Sequence, residues 1–177
     1  MSPSGAPPRR SAGSRSSARS RSSARSNARK KNPRILVLSG PNLDRLGTRE
    51  PEIYGHTTLA HIHDGLVERA RELGASVDCR QSNHEGDLVT WIGKAGDDGF
   101  AGILLNAGSY THTSYAVHDA IKGSALPVIE VHISNPEARE PFRHVSVLAA
   151  ACVAKVAGFG ADSYRTALEG LLRRLGV

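Results

Sequence analysis

The sequence predicts an α/β domain whose parallel sheet is covered by helices on both faces, and three observations point to it. Short runs rich in Ile, Val and Leu recur from Pro33 onward. A single helical pattern separates most of these runs, which requires right-handed crossovers between parallel strands. Glycines stand where one element must stop before the next begins.

Taken in order, Ile35 to Ser39 is the first strand, and Thr58 to Leu73 the helix that returns the chain, halted by Gly74. Ser76 to Arg80 is the second strand, followed by a helix over Asp87 to Asp97 and a Gly-Asp-Asp-Gly turn ending at Gly99. Phe100 to Leu105 is the third strand, with a helix at Ser114 to Lys122. Leu126-Pro127-Val128-Ile129 opens a buried fourth strand running to Val131, after which a short helix starts near Pro141 to Arg143. Val153 to Ala157 and a helix over Asp162 to Leu175 complete the series. Five such strands suit a flavodoxin-like order, 2-1-3-4-5. At 177 residues the chain has room for one such domain, from residue 33 to 177, and no repeat or linker interrupts residues 34 to 175.

The formal charge of +6 belongs to the leader rather than to this domain. Residues 1 to 33 carry seven Arg, two Lys and no acid; removing those nine from the 23 basic residues leaves 14 against 17 acidic. Residues 1 to 32 offer no Leu, Ile, Val or aromatic side chain to bury, so this Arg- and Ser-rich tail is expected to be disordered. Its prolines and missing apolar face argue against an organelle transit helix, and a solvated tail is favoured over one that holds a nucleic acid by charge. No stretch reaches the roughly 18 apolar residues of a membrane span, so a soluble, cytoplasmic protein is expected. Cys79 and Cys152, both assigned to predicted strands, read as core thiols of a reducing compartment.

In open α/β sheets ligands bind beyond the carboxyl ends of the strands, and polar residues cluster there. The first strand runs into a long connection, Ser39 to Gly55, which holds Asn42, Arg49 and Tyr54 between glycines; it is either a lid or an ordinary surface loop. It lacks the glycine spacing of a dinucleotide site and the Lys-Ser/Thr ending of a P-loop. After the third strand come Asn106, His112 and a helix bearing His118 and Asp119, with His118 read as a solvated helix residue. The fourth strand ends in Glu130, His132, Ile133 and Ser134, with Arg139 and Arg143 close behind. His84 belongs either near the pocket or at a helix cap. His61 and His63, two apart on a helix, point to different faces and make no metal site.

Together, Gly40-Pro41-Asn42-Leu43 with Arg49 and Tyr54-Gly55, Arg80-Gln81-Ser82-Asn83-His84-Glu85-Gly86, His112-Thr113-Ser114 and Glu130-Val131-His132-Ile133-Ser134-Asn135 with Arg139-Glu140-Pro141-Phe142-Arg143 resemble type II 3-dehydroquinate dehydratase. The resemblance spans residues 34 to 175. It implies reversible dehydration of 3-dehydroquinate in the shikimate pathway to chorismate and the aromatic amino acids, with no cofactor or metal, in a homododecamer of four trimers. It gives Tyr54 the role of proton acceptor, His132 that of proton donor and Asn42 that of transition-state stabiliser. A phenol with a pKa near ~10 is ionised in only about one molecule in a thousand at neutral pH, and a cation within ~4–6 Å lowers an acid's pKa by ~1–3 units. By resemblance Arg49 is that cation.

Glu130, two positions before His132 on one strand face, is placed to orient the imidazole. Asn106, His112, the backbone of Ile133 and Ser134, and Arg143 resemble the groups that hold the substrate. Arg139 resembles a second lid-closing arginine, and Asp119 a residue given across the trimer interface. Asp44, Tyr115 and Pro136-Glu137 depart from the family pattern; Asp44 adds negative charge to the lid. Two other readings compete with this one. A lysine imine has only Lys94, Lys122 and Lys155 to draw on, none beside the motif blocks. A flavodoxin-like module that merely binds an anion or flavin has no use for the Arg–Tyr and Glu-x-His arrangements.

Overall fold

Alternation along the first strand decides how the chain divides its apolar side chains. In the computed structural model, which describes residues 32–47 and 57–177, β1 (Arg34–Ser39) sends Ile35 and Val37 to one side and Leu36 and Leu38 to the other, all fully buried. A strand buried on both faces reads as a continuous apolar run, and this one is central. It is flanked by β2 (Ser76–Gln81) and β3 (Gly102–Asn106), and the sheet continues through β4 (Val128–His132) to β5 (Ala154–Ala157). All pairings are parallel, and the order is β2-β1-β3-β4-β5, the flavodoxin-like arrangement expected.

Helices α1 (Leu59–Glu72) and α4 (Asp162–Arg174) cover the face of Ile35, Val37, Leu104 and Val131, contributing Ile62, Leu66, Leu168 and Leu171. Helices α2 (Glu85–Lys94) and α3 (Tyr115–Ser124) cover the other face with Leu88, Ile92, Val117 and Ile121. Each such side chain withdrawn from water stabilises the fold by about 1.5–3 kcal/mol, enough to hold the two layers without crosslinks. Thr58 and Ser114 cap α1 and α3 by accepting from the N–H groups of His61 and Val117. Among the described residues no helix is long and apolar enough to cross a membrane.

Several boundaries differ from the sequence expectation for local reasons. The third strand begins at Gly102, two residues late, because Phe100 closes the preceding turn on Ala95 and stacks its ring under the Arg34 guanidinium, 4.5 Å from the ring centre. A Cβ on Gly102 would meet Leu171 at 3.0 Å, so α4 packs directly on that strand. Helix α2 starts two residues early, its first turn carrying Glu85 and Asp87 as the helix dipole favours. Cys152 is not in a strand; it follows a 3-10 turn at Ala149–Ala151 and precedes β5. The short helix near Pro141 is a 3-10 turn, Pro141–Arg143, and others form at Leu43–Arg45, Gly108–His112 and Pro136–Ala138. The expected tail, apart from Asn32, lies outside the described residues, as do Arg49 and Tyr54.

Candidate active site

Parallel register brings the ends of β1, β3 and β4 to one edge of the sheet, with Ser39 level with both Gln81 and Asn106. There the backbones approach closely: the Gly40 N–H donates to the Asn106 carbonyl at 2.7 Å, and a Cβ on Gly40 would fall 2.5 Å from the Ala107 oxygen. This contact sets the mouth of a cavity of about 130 Å³, lined among others by Asn42, Asn106, His112, His132, Arg139 and Arg143. Residues from the loops after three strands and from the 3-10 turns beyond β4 thus converge on one space.

Asn42 sits in a left-handed conformation at φ 64°, which asparagine tolerates better than most residues. Its N–H donates to Asn83 Oδ1 at 2.8 Å, and Gln81 Nε2 donates to the same oxygen and to the Gly40 carbonyl. The Tyr110 hydroxyl in turn donates to the Asn83 carbonyl. Asn106 is 3% exposed; its Oδ1 accepts the Gly108 N–H, and its side chain bonds the Tyr164 hydroxyl, which also lies 3.3 Å from Ser39 Oγ. Burial pushes the Tyr164 phenol up to about 12.

Glu130 and His132 project on one face of β4, as alternation requires. Glu130 is fully buried and His132 is 8% exposed, with Nε2 2.6 Å from Glu130 Oε1. The other carboxylate oxygen accepts from Ser146 Oγ at 2.7 Å. Cys152 lies close to this carboxylate, and burial first, then that charge, push its thiol up to about 12. His112 places Nδ1 2.8 Å from the Val145 carbonyl, leaving Nε2 as its other nitrogen. Arg143 donates to Glu140 Oε2 at 2.8 Å and lies over the Phe142 ring, while Arg139 Nε is 3.5 Å from the same oxygen. The Arg143 guanidinium holds the Glu140 carboxyl below its ordinary range.

Ile133 and Ser134 line the same cavity. Asp119 does not line it; it is exposed on α3. His84 caps α2 without a side-chain bond and is exposed, away from the cavity. His118 is not simply solvated, since its Nδ1 lies 2.7 Å from the Val147 carbonyl. Of the lysines, Lys155 pairs with Glu137 at 2.6 Å, and none of the three lines the cavity. A second hollow between α1 and α4 is lined in part by Arg69 and Glu72, which pair with each other, and Arg69 also pairs with Glu169.

The sheet order β2-β1-β3-β4-β5 is shared with a known family of proteins. A model of that family, dehydroquinase class II, matches residues 33–172. The chain belongs to the class II dehydroquinase family. It is 55% identical over 143 residues to a 3-dehydroquinate dehydratase of Rhodopseudomonas palustris strain HaA2, a span covering 81% of this chain and 95% of the relative. A 3-dehydroquinate dehydratase of Xanthomonas oryzae pv. oryzae strain PXO99A is 55% identical over 141 residues, 80% of this chain and 95% of its own. The crystal structure of a type II dehydroquinase from Butyrivibrio crossotus DSM 2876 superposes with a TM-score of 0.77 at 42% identity, covering 79% of this chain and 97% of that one.

Sequence reasoning missed four residues that hold the site together: Gln81, Asn83, Ser146 and Tyr164. The first two stood inside a quoted motif, but which atom they hold depends on the register of β2 against β1. Ser146 and Tyr164 carry no local signal, lying 16 and 58 residues from the groups they bond, Glu130 and Asn106.

Proposed function

We propose that this protein, a type II dehydratase of the shikimate pathway, converts 3-dehydroquinate to 3-dehydroshikimate by anti elimination through an enolate, with no imine. The observation that carries the reading is the His132–Glu130 pair at 2.6 Å on the wall of a cavity that two arginines also line. An imidazole whose Nε2 is engaged by a buried carboxylate has its tautomer and ring orientation set, and Nδ1 remains to serve the substrate. His132, protonated at Nδ1 from solvent, gives that proton to the departing hydroxyl, which leaves as water; a general acid so placed contributes about 10²–10⁴-fold.

Tyr54, its phenolate favoured by Arg49, removes the proton α to the ketone. Asn42 stabilises the enolate oxygen directly or through a water, and its loop is held by Asn83 and Gln81. The substrate carboxylate and hydroxyls fall to Asn106, His112, the Ile133 and Ser134 backbone, and Arg143, with Arg139 closing over them. Arg139 and Arg143 both reach Glu140, so an anionic substrate enters where guanidinium groups already gather around a carboxylate. No cofactor or metal takes part.

The proposed assembly is a dodecamer of trimers in the cytoplasm, with Asp119 reaching a neighbour's cavity. Support comes from the exposure of Asp119 on α3 and from apolar side chains left open to solvent, Tyr115, Phe142 and Val145, which are 71%, 62% and 66% exposed.

The test is the appearance of conjugated-enone absorbance when purified protein meets 3-dehydroquinate. Tyr54→Phe and His132→Ala are expected to lose most of the rate, and borohydride with substrate is expected to leave the protein unmodified. Unchanged rates in both variants, or a covalent adduct, reject the mechanism.

A further inference from the structure

We propose that Ser146 is a positioning residue for the reaction, locking Glu130 so that His132 keeps one tautomer, with Nε2 held by Glu130 and Nδ1 toward the substrate. The inference rests on the functional reading above in taking His132 as the proton donor. Its basis is hydrogen-bond accounting around a carboxylate with no access to water. Glu130 is fully buried, so each of its oxygens must find a protein donor or bear a large desolvation cost. Oε1 has the His132 ring at 2.6 Å and Oε2 has Ser146 Oγ at 2.7 Å.

The serine hydroxyl has one proton and two lone pairs. Both lone pairs are engaged, by the N–H groups of Leu148 at 3.2 Å and Ala149 at 3.0 Å. The proton is therefore left for Oε2, and the hydroxyl cannot turn to accept from Glu130. With Oε2 fixed as an acceptor and the carboxylate plane fixed with it, Oε1 is aimed at His132 Nε2. A proton on Nε2 satisfies that oxygen and leaves Nδ1 facing the substrate, where a proton taken from solvent makes the imidazolium that gives it to the departing hydroxyl.

Ser146 is itself held in place. The Val147 N–H donates to the Thr111 carbonyl at 2.9 Å, the Val147 carbonyl receives His118 Nδ1, and the Val145 carbonyl receives His112 Nδ1. The strap 145–149 is thus pinned to the loop after β3 and to α3. It joins the groups that hold substrate to the pair that moves its proton.

The experiment compares kcat and KM for wild type, Ser146→Ala and Ser146→Thr, with the ring ¹⁵N signals of His132 recorded by solid-state NMR on histidine-labelled, substrate-free protein. The His132 signals are identified by their loss in His132→Asn. Ser146→Ala is expected to lower kcat by roughly tenfold or more, the factor carried by one charge-assisted hydrogen bond, with KM within about twofold. Its His132 ring should show mixed tautomers. Ser146→Thr keeps the hydroxyl and should restore both kcat and the single tautomer.

Wild-type kcat in Ser146→Ala, a change confined to KM, or a Thr variant as impaired as the Ala variant overturns the proposal. Should Ser146→Ala fail to fold, Ser146→Cys, similar in size but a weak donor, takes its place under the same criteria. If wild type does not act on 3-dehydroquinate, the functional reading falls. The ring signals then decide the positioning claim alone, with one tautomer in all forms refuting it.

Discussion

Gly40→Ala tests the idea that the site is set by backbone contact at the sheet edge. A methyl at this position would lie 2.5 Å from the Ala107 oxygen and 2.6 Å from its carbonyl carbon, where ordinary contact begins near 3.4 Å. The strand ends must therefore separate by about 0.9 Å, against backbone rather than a side chain that can swing aside. Overpacking of this kind costs about 1–3 kcal/mol, a fall in melting temperature of about 3–9 °C for a domain of this size. The functional cost is expected to exceed the structural one. The displaced segment carries the 2.7 Å bond from Gly40 to Asn106 and leads directly into Asn42, and misplacing catalytic groups by about 1 Å can lower the rate by about 100-fold. Thermal unfolding and steady-state kinetics on the same preparation read the two effects. A variant with wild-type melting and wild-type kcat/KM would refute the argument that this contact sets the cavity.

Tyr164→Phe is expected to cost about 1–3 kcal/mol in denaturant unfolding, because it removes from the core the hydroxyl that Ser39 and the Asn106 side chain both bond. With the Tyr164 phenol and the Cys79 and Cys152 thiols all pushed up to about 12, the native state holds protons that the unfolded chain releases nearer pH 9–10. Their contribution to stability is therefore complete below pH 9 and lost as pH rises toward 12; unfolding free energy measured from pH 8 to 11 should fall with pH, and less steeply in Tyr164→Phe. Ellman's reagent at pH 8 should label Cys79 and Cys152 far more slowly than in unfolded protein, since a thiol at about 12 rather than 9 carries about a thousandfold less thiolate; equal rates would contradict their burial. Arg143→Ala is expected to raise KM by about 10–100-fold with kcat changed much less, and a pure kcat effect would remove Arg143 from substrate binding.

Much of this was present in the order of residues. Apolar runs of strand length, separated for the most part by one amphipathic helix, admit few topologies, so the sheet order followed from pattern alone. Polar residues at strand ends marked the face of the site, because parallel strands deliver all their carboxyl ends to one edge. The spacing of Glu130 and His132 placed them on one side of β4 through the two-residue period of a strand. The start of β3 was misjudged because Phe100 is apolar in either setting, and only the Arg34 guanidinium above it shows why it belongs to the turn.

The chain's local pattern determined the elements, their order and the kinds of chemistry at the strand ends. Tertiary structure alone decided which groups restrain them: Asn83 on Asn42, Tyr164 on Asn106, and Ser146 on Glu130. The physical reason is range. Periodicity and turn chemistry act over a few residues, whereas a buried hydrogen bond is chosen by whichever donor the packed fold brings within about 3 Å, however distant it is along the chain.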